Sequence, residues 1–189
     1  MPLNIPAVPA GAEASVLDAL RQPAVWLPLP LQRHRASLRP VLPLPVHELA
    51  PVTGLTVPPR SRLAGWRFLL DHDGVTVGGA QTDLTANGWE FSHFSTGPFI
   101  ASTARAVALA ESMTTPYQPR LLSVPELYMV TLWLHADPGA APASGSPEPQ
   151  DLLVPLAPAP PGIAAERPTR TDALLPLLTS RVAPLGLAS

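Results

Sequence analysis

Residues 64–95 read AGWRFLLDHDGVTVGGAQTDLTANGWEFSHFS, and this stretch decides the fold. AGWRFLL (64–70) places Trp66, Phe68 and Leu70 on one face and Arg67 on the other, the period-two alternation of a half-buried strand. DHDG (71–74) supplies a hairpin turn in which Gly74 is free to take a positive φ. VTVGGAQTD (75–83) returns antiparallel, and its Gly78-Gly79 pair predicts a bulge or a point where another element packs close. LTANG (84–88) is a second turn, built on Asn87-Gly88, and WEFSHFS (89–95) is the third strand. Alternation puts Trp89, Phe91 and His93 on one face of it and Glu90, Ser92 and Phe94 on the other.

Working forward, TGPFIASTARAVALAESM begins with Gly97-Pro98, a helix start with proline at the first helical position. Phe99, Ile100, Thr103, Val107 and Ala110 form an apolar stripe with Arg105 and Glu111 outside it, so a helix is expected over 98–113. RLLSVPELYMVTLWLH (120–135) is split by Pro125, which leaves a strand over about 126–135. Both alternating sets of that strand are apolar, as in a central strand buried on two faces. ADPGAAPASGSPEPQ (136–150) reads as a flexible loop, and DLLVPLA (151–157) as an edge strand because of Pro155. A last helix is expected over about 171–183 from Thr171, kinked or delayed by Pro176.

Working backward, proline takes over. The chain holds 27 prolines in 189 residues, far above the ~5% that is usual. They crowd residues 1–60 and 138–162, and Pro98 is the only one between 61 and 115. The expected organisation is therefore a Pro/Leu-rich arm over 1–62 and a core domain over 63–189. GAEASVLDALR (11–21) has the makings of a short helix, with Ser15 and Asp18 spaced as a capping box and Pro23 beyond its end. LPLPL (27–31) and VLPLPV (41–46) favour an extended backbone with leucines exposed at fixed intervals. The order is arm, then β-β-β-α-β-(β)-α. That is an α+β fold, an antiparallel sheet with one helix packed on a face, preceded by an extended arm.

Composition narrows the chemistry. The absence of cysteine excludes disulfides, thiolate metal sites and a cysteine nucleophile. All 12 basic residues are arginine, so an obligate Schiff-base or P-loop lysine is excluded as well. A GC-rich coding bias explains that preference as well as selection for bidentate anion contacts does. Residues 1–67 carry seven Arg against Glu13, Asp18 and Glu48, and residues 68–189 carry five Arg against eleven acids, giving +4 and −6 and a sum of −2. This asymmetry suits an arm lying against an acidic body, its own or a partner's, and nucleic-acid binding is not expected. Proline interrupts every long apolar stretch, so no membrane span is expected. MPLNIPAVPAGAEAS lacks a basic region followed by a continuous apolar core, so a secretory signal is not expected and the cytoplasm is the expected compartment.

No motif fixes a reaction, and no cofactor is implied. His93 shares its strand with Ser92 and Ser95, so it could serve as base to a neighbouring hydroxyl, yet no G-x-S-x-G elbow is present and packing within an aromatic strand explains it equally. His72 sits between Asp71 and Asp73, residues that a hairpin turn uses in any case. His72, His93 and His135, the last beside Asp137, would make a metal site only if the fold gathered them, and their spacing has no ligand signature. STGP (95–98) offers helix-capping residues, and the glycine spacing of a phosphate cradle is missing. His34 with Arg33, Arg35 and Arg39 could hold a phosphate, and a short basic run is equally a solvated face. The residues expected to touch a partner are Trp26, Leu29, Leu31, Arg33, Arg35, Leu42 and Leu44. The leading expectation is a non-enzymatic interaction or assembly protein whose arm docks on another protein or a neighbouring subunit. The alternatives are a small hydrolase using His93 with Ser95 or a His-based metal, and a ligand-binding module with its pocket between the sheet and the 98–113 helix.

Overall fold

The 64–95 stretch forms three consecutive antiparallel strands. They are β2 (Ser61–His72), β3 (Val75–Thr85) and β4 (Gly88–Ser95), following β1 (Arg39–Leu49) and preceded by helices α1 (Ala10–Arg21) and α2 (Leu29–Gln32). Then come α3 (Pro98–Glu111), β5 (Gln118–Val124), β6 (Met129–His135), β7 (Leu152–Pro155), β8 (Thr169–Arg170) and α4 (Thr171–Val182). The computed structural model describes residues 3–50 and 60–182. The eight strands make one sheet in the order β4-β3-β2-β1-β5-β6-β7-β8, in which β1 and β5 are parallel and the other neighbours antiparallel. The fold is α+β, as expected, but its sheet is mixed rather than purely antiparallel.

The expected extended arm needs the larger correction. Residues 39–49 are a strand near the middle of the sheet, paired to β2 on one side and β5 on the other. Proline lacks the N–H that a ladder requires, yet β1 contains Pro40, Pro43 and Pro45. The conflict is resolved by register. Pairing with β5 begins only at Val46, after the last of these prolines. On the β2 side the register skips from Val41 to Leu44, and Leu42 takes φ 47 within that bulge. The chain on the two sides of residue 62 thus shares one ladder. Leucines that an extended arm would expose are buried here: Leu27, Leu31 and Leu44 have at most 1% exposure.

Three apolar clusters occupy the two sheet faces. On the α3 face, Ala106, Val107 and Ala110 pack with Leu44, Val46, Leu121, Leu132, Leu134 and Val154. On the other face, α1 packs Ala12, Val16 and Ala19 over Trp66, Phe68, Leu70 and Phe94, and α4 packs Leu174, Leu175 and Leu178 over Leu122, Trp133 and Leu153. Helices therefore cover both faces, not one. The close approach predicted at Gly78-Gly79 is present on both sides: a Cβ at Gly78 would lie 2.7 Å from Leu31 Cδ1, and one at Gly79 2.6 Å from Ile100 Cδ1.

Local expectations fare unevenly. α1 spans the predicted segment, but Pro9 is its N-cap and Ser15 Oγ donates back to Ala12 O, so no capping box forms. In β4 a bulge between the Gln81–His93 and Thr82–Phe91 pairs inserts Ser92 as an extra residue. That reverses parity, so Phe94 joins Phe91, their ring centroids 4.5 Å apart, and His93 points to the opposite face. The apolar run 120–135 contains two strands, not one. β5 occupies 118–124, Pro125–Leu127 forms a single 3-10 turn, and β6 returns antiparallel. β7 lies between β6 and the two-residue β8, and α4 begins at Thr171 with Pro176 inside it.

Residues 136–150, expected as a flexible loop, contain no helix or strand and cross the α1 face as a strap. Its carbonyls accept hydrogen bonds one after another from side chains of the sheet. Gln118 Nε2 donates to Ala140 O (2.7 Å) and Pro138 O (3.3 Å), and Arg120 Nη1 and Nη2 donate to Ser144 O (2.5 Å) and Ala141 O (3.2 Å). His47 Nε2 lies 2.8 Å from Pro142 O, and Ser61 Oγ donates to Gly145 O at 3.2 Å. Arg120 is fully buried, and its guanidinium sits 4.8 Å from the Trp133 ring, so burying this charge is offset by hydrogen bonds and a cation–π contact.

Candidate functional site

The N-terminal segment after α1 is built around one arginine. The last turn of α1 leaves carbonyls without intrahelical partners. The Arg35 guanidinium supplies them: Nη1 donates to Gln22 O (2.8 Å), Leu20 O (3.3 Å) and Ala19 O (3.4 Å), and Nη2 to Val25 O (2.6 Å). A cation there also complements the helix dipole. Gln32 Nε2 donates to Leu27 O at 2.9 Å, and Leu27 and Leu31 anchor the segment in the core beneath. On this pinned turn Trp26 is 71% and Leu29 79% exposed. Beside it lie two adjoining grooves. One, of about 580 Å³, is lined by Leu17, Leu20, Arg21, Arg33, Arg35 and Leu38 among others; the second, of about 410 Å³, by residues 23–27 with Gln32 and Arg35. No acidic residue occurs between Asp18 and Glu48, so the surface is apolar and cationic together.

The seven expected contact residues separate cleanly. Trp26, Leu29 and Arg33 are exposed. Arg35 is half-buried, its guanidinium committed to the end of α1. Leu31 and Leu44 are fully buried in the protein's own core, and Leu42 packs against the α3-face cluster. Those three leucines are withdrawn from any interface by the formation of β1 and α2.

The histidines are not gathered. His93 is exposed on the α3 face, with Nδ1 3.1 Å from Ser92 Oγ rather than bonded to Ser95. Partial burial and the nearby Arg67 hold its pKa below the usual histidine value, against the opposing Asp83. His72 stacks on His34 at 3.9 Å between ring centroids, and its Nδ1 lies 2.9 Å from Ser37 Oγ. His135 belongs to β6, five strand positions from β4, roughly 24 Å away at the usual strand spacing. No group of three His, Asp or Glu among the described residues is arranged to hold a metal. The space between sheet and α3, where the ligand-binding alternative put its pocket, is filled by Ile100, Ala106, Val107 and Ala110.

Two further features have no local signature in the sequence. Asp151 is completely buried and accepts four hydrogen bonds: from Trp133 Nε1 (2.7 Å), His135 Nδ1 (3.1 Å), Ala136 N (2.8 Å) and Glu148 N (2.9 Å). Burial alone would raise its pKa, but these donors, His135 foremost, hold it below the usual carboxylate range. The carboxylate closes both ends of the strap, a structural task. The second feature is Tyr128, 90% exposed at the β5–β6 tip and left-handed at φ 49, ψ 36. A bulky side chain in that region costs about 1–2 kcal/mol. Because Tyr128 has almost no packing to lose, Tyr128→Gly is expected to stabilise the protein by about 1 kcal/mol, read as an upward shift of the urea midpoint at unchanged slope. No stabilisation would mean that the tip is not strained.

No family model matches the chain, and neither a curated protein nor a solved structure matches it significantly. Among the described residues no helix is long and apolar enough to cross a membrane.

Proposed function

We propose that the chain is a non-enzymatic cytoplasmic interaction protein that docks through its N-terminal segment on another protein or a neighbouring subunit. The observation that carries this reading is the exposed pair Trp26 and Leu29 on a turn fixed by Arg35. Tryptophan is among the side chains that contribute most when an interface closes over them. A turn pinned at both ends loses little conformational entropy on binding, so more of that contact survives as affinity. Arg33 at its margin and the cationic grooves beside it favour a partner that is apolar and acidic.

The test uses the full chain, purified natively with whatever stays bound, and then the isolated partner titrated against wild type and the Trp26→Ala/Leu29→Ser double variant. Both substituted side chains are exposed, so thermal stability is expected to be unchanged while affinity falls about 100-fold or more. Equal affinity for wild type and variant would remove the proposal.

A further inference from the structure

We infer that the partner is a second copy of this chain, whose Pro125–Tyr128 hairpin tip enters the cationic groove beside Trp26. The inference rests on the docking role proposed for the N-terminal segment and names its partner. The tip has the complementary chemistry. Pro125, Glu126 and Tyr128 are exposed and Leu127 packs against the α4-side cluster, so a carboxylate stands between apolar groups at the hairpin tip. The groove offers Arg33 beside Leu17, Leu20 and Leu38, at about 580 Å³, while its Arg21 is already paired with Asp18 at 3.0 Å. Charge therefore complements charge, and a projecting aromatic meets a concave apolar floor.

Topology forbids the contact within one chain. β5 runs parallel to β1, with Val46 opposite Leu121 and Glu48 opposite Ser123, so the β5–β6 tip lies at the C-terminal end of β1. The 22–38 segment leads directly into the opposite end at Arg39, and Leu31 packs on Gly78 there. The ten steps from Arg39 to Leu49 separate tip and groove by roughly 30 Å along the strand. A tip that fits a groove at the far end of the same molecule makes a head-to-tail contact. Made once per pair, the contact leaves a groove and a tip free for further copies; made twice about a two-fold axis, it closes a dimer. The tip also holds Tyr128 in a left-handed conformation that solvent exposure alone gives no reason to keep.

The experiment is sedimentation velocity on the full chain from micromolar to submillimolar concentration. It is run on wild type, Trp26→Ala, Tyr128→Ala and an equimolar mixture of the two variants. Wild type is expected to grow into a dimer or larger assembly with concentration, and to do so less at high salt. Each variant alone is expected to remain monomeric, whereas the mixture pairs the intact tip of one with the intact groove of the other and stops at a dimer. Circular dichroism of each variant checks that both keep the fold, and Tyr128→Gly, which relieves the backbone, must abolish growth as Tyr128→Ala does. A wild-type chain that stays monomeric overturns the inference. Growth lost on Trp26→Ala but kept on Tyr128→Ala also overturns it, while leaving N-terminal docking intact. Growth that survives Trp26→Ala overturns it as well, because the copies then meet through another surface.

Discussion

Asp151→Ala is expected to destabilise the protein by about 4 kcal/mol, the largest effect of any single substitution considered for it. The carboxylate is completely buried, and its removal strands four donors at once: the Trp133 indole, the His135 ring and the amides of Ala136 and Glu148. Each buried donor left without an acceptor costs about 1–3 kcal/mol, and partial relaxation of the strap keeps the total below the simple sum. Asp151→Asn keeps the shape but points an amide group at donors, so about half the loss is expected. Urea denaturation supplies the magnitude. Hydrogen exchange localises it, because the amides of Ala136 and Glu148 should lose protection before those of β2 and β3. A loss under about 1 kcal/mol for Asp151→Ala would mean that the strap is not fastened at this point.

How much of this could be read from the sequence depends on how local the deciding interaction is. The β2-β3-β4 meander is legible because Trp66, Phe68 and Leu70 alternate and because Gly74 and Gly88 take positive φ at the turns. β1 was not legible for a physical reason. Proline removes a donor, but that matters only on the flank where a neighbour needs it, and which flank is free depends on where β5 lies. The same ambiguity covers Leu31 and Leu44, since Leu-Pro alternation looks alike whether a core covers the leucines or not. The face of His93 is not legible, because a one-residue bulge at Ser92 has no sequence signature. Trp26 and Leu29 are exposed while their neighbours Leu27 and Leu31 are buried, a division that the Leu-Pro pattern does not reveal. Asp151 is not legible either, because its donors come from residues 133, 135, 136 and 148 and converge only after β6 and β7 have paired.

Acidification from pH 6.5 to pH 4 is expected to remove about 3 kcal/mol of stability through His47 alone. The ring is fully buried under the strap, with Nε2 2.8 Å from Pro142 O and Nδ1 3.4 Å from Ser61 Oγ. A carbonyl only accepts, so the neutral ring carries its proton on Nε2 and leaves Nδ1 unprotonated. Burial foremost, with Arg120 and His135 adding repulsion, pushes its pKa down from 6.5 to about 4, although the Pro142 carbonyl opposes the shift. Between those two values the unfolded chain binds a proton that the folded chain refuses, so stability rises with pH through the window and falls as pH drops through it. A shift of this size corresponds to about 3 kcal/mol at ~1.4 kcal/mol per unit. Asp151 has a depressed carboxylate pKa, so its contribution stays in place throughout that window and is lost only at lower pH, as it protonates in the folded state. The two groups thus divide the acid limb. His47→Gln, which keeps a donor for Pro142 O but cannot titrate, is expected to be flat from pH 6.5 to 4 and to retain the steeper fall below. Urea midpoints measured across pH for both proteins make the comparison. Parallel curves would show that His47 is not the group that yields to acid, and that the strap is held there by Gln118 and Arg120 without it.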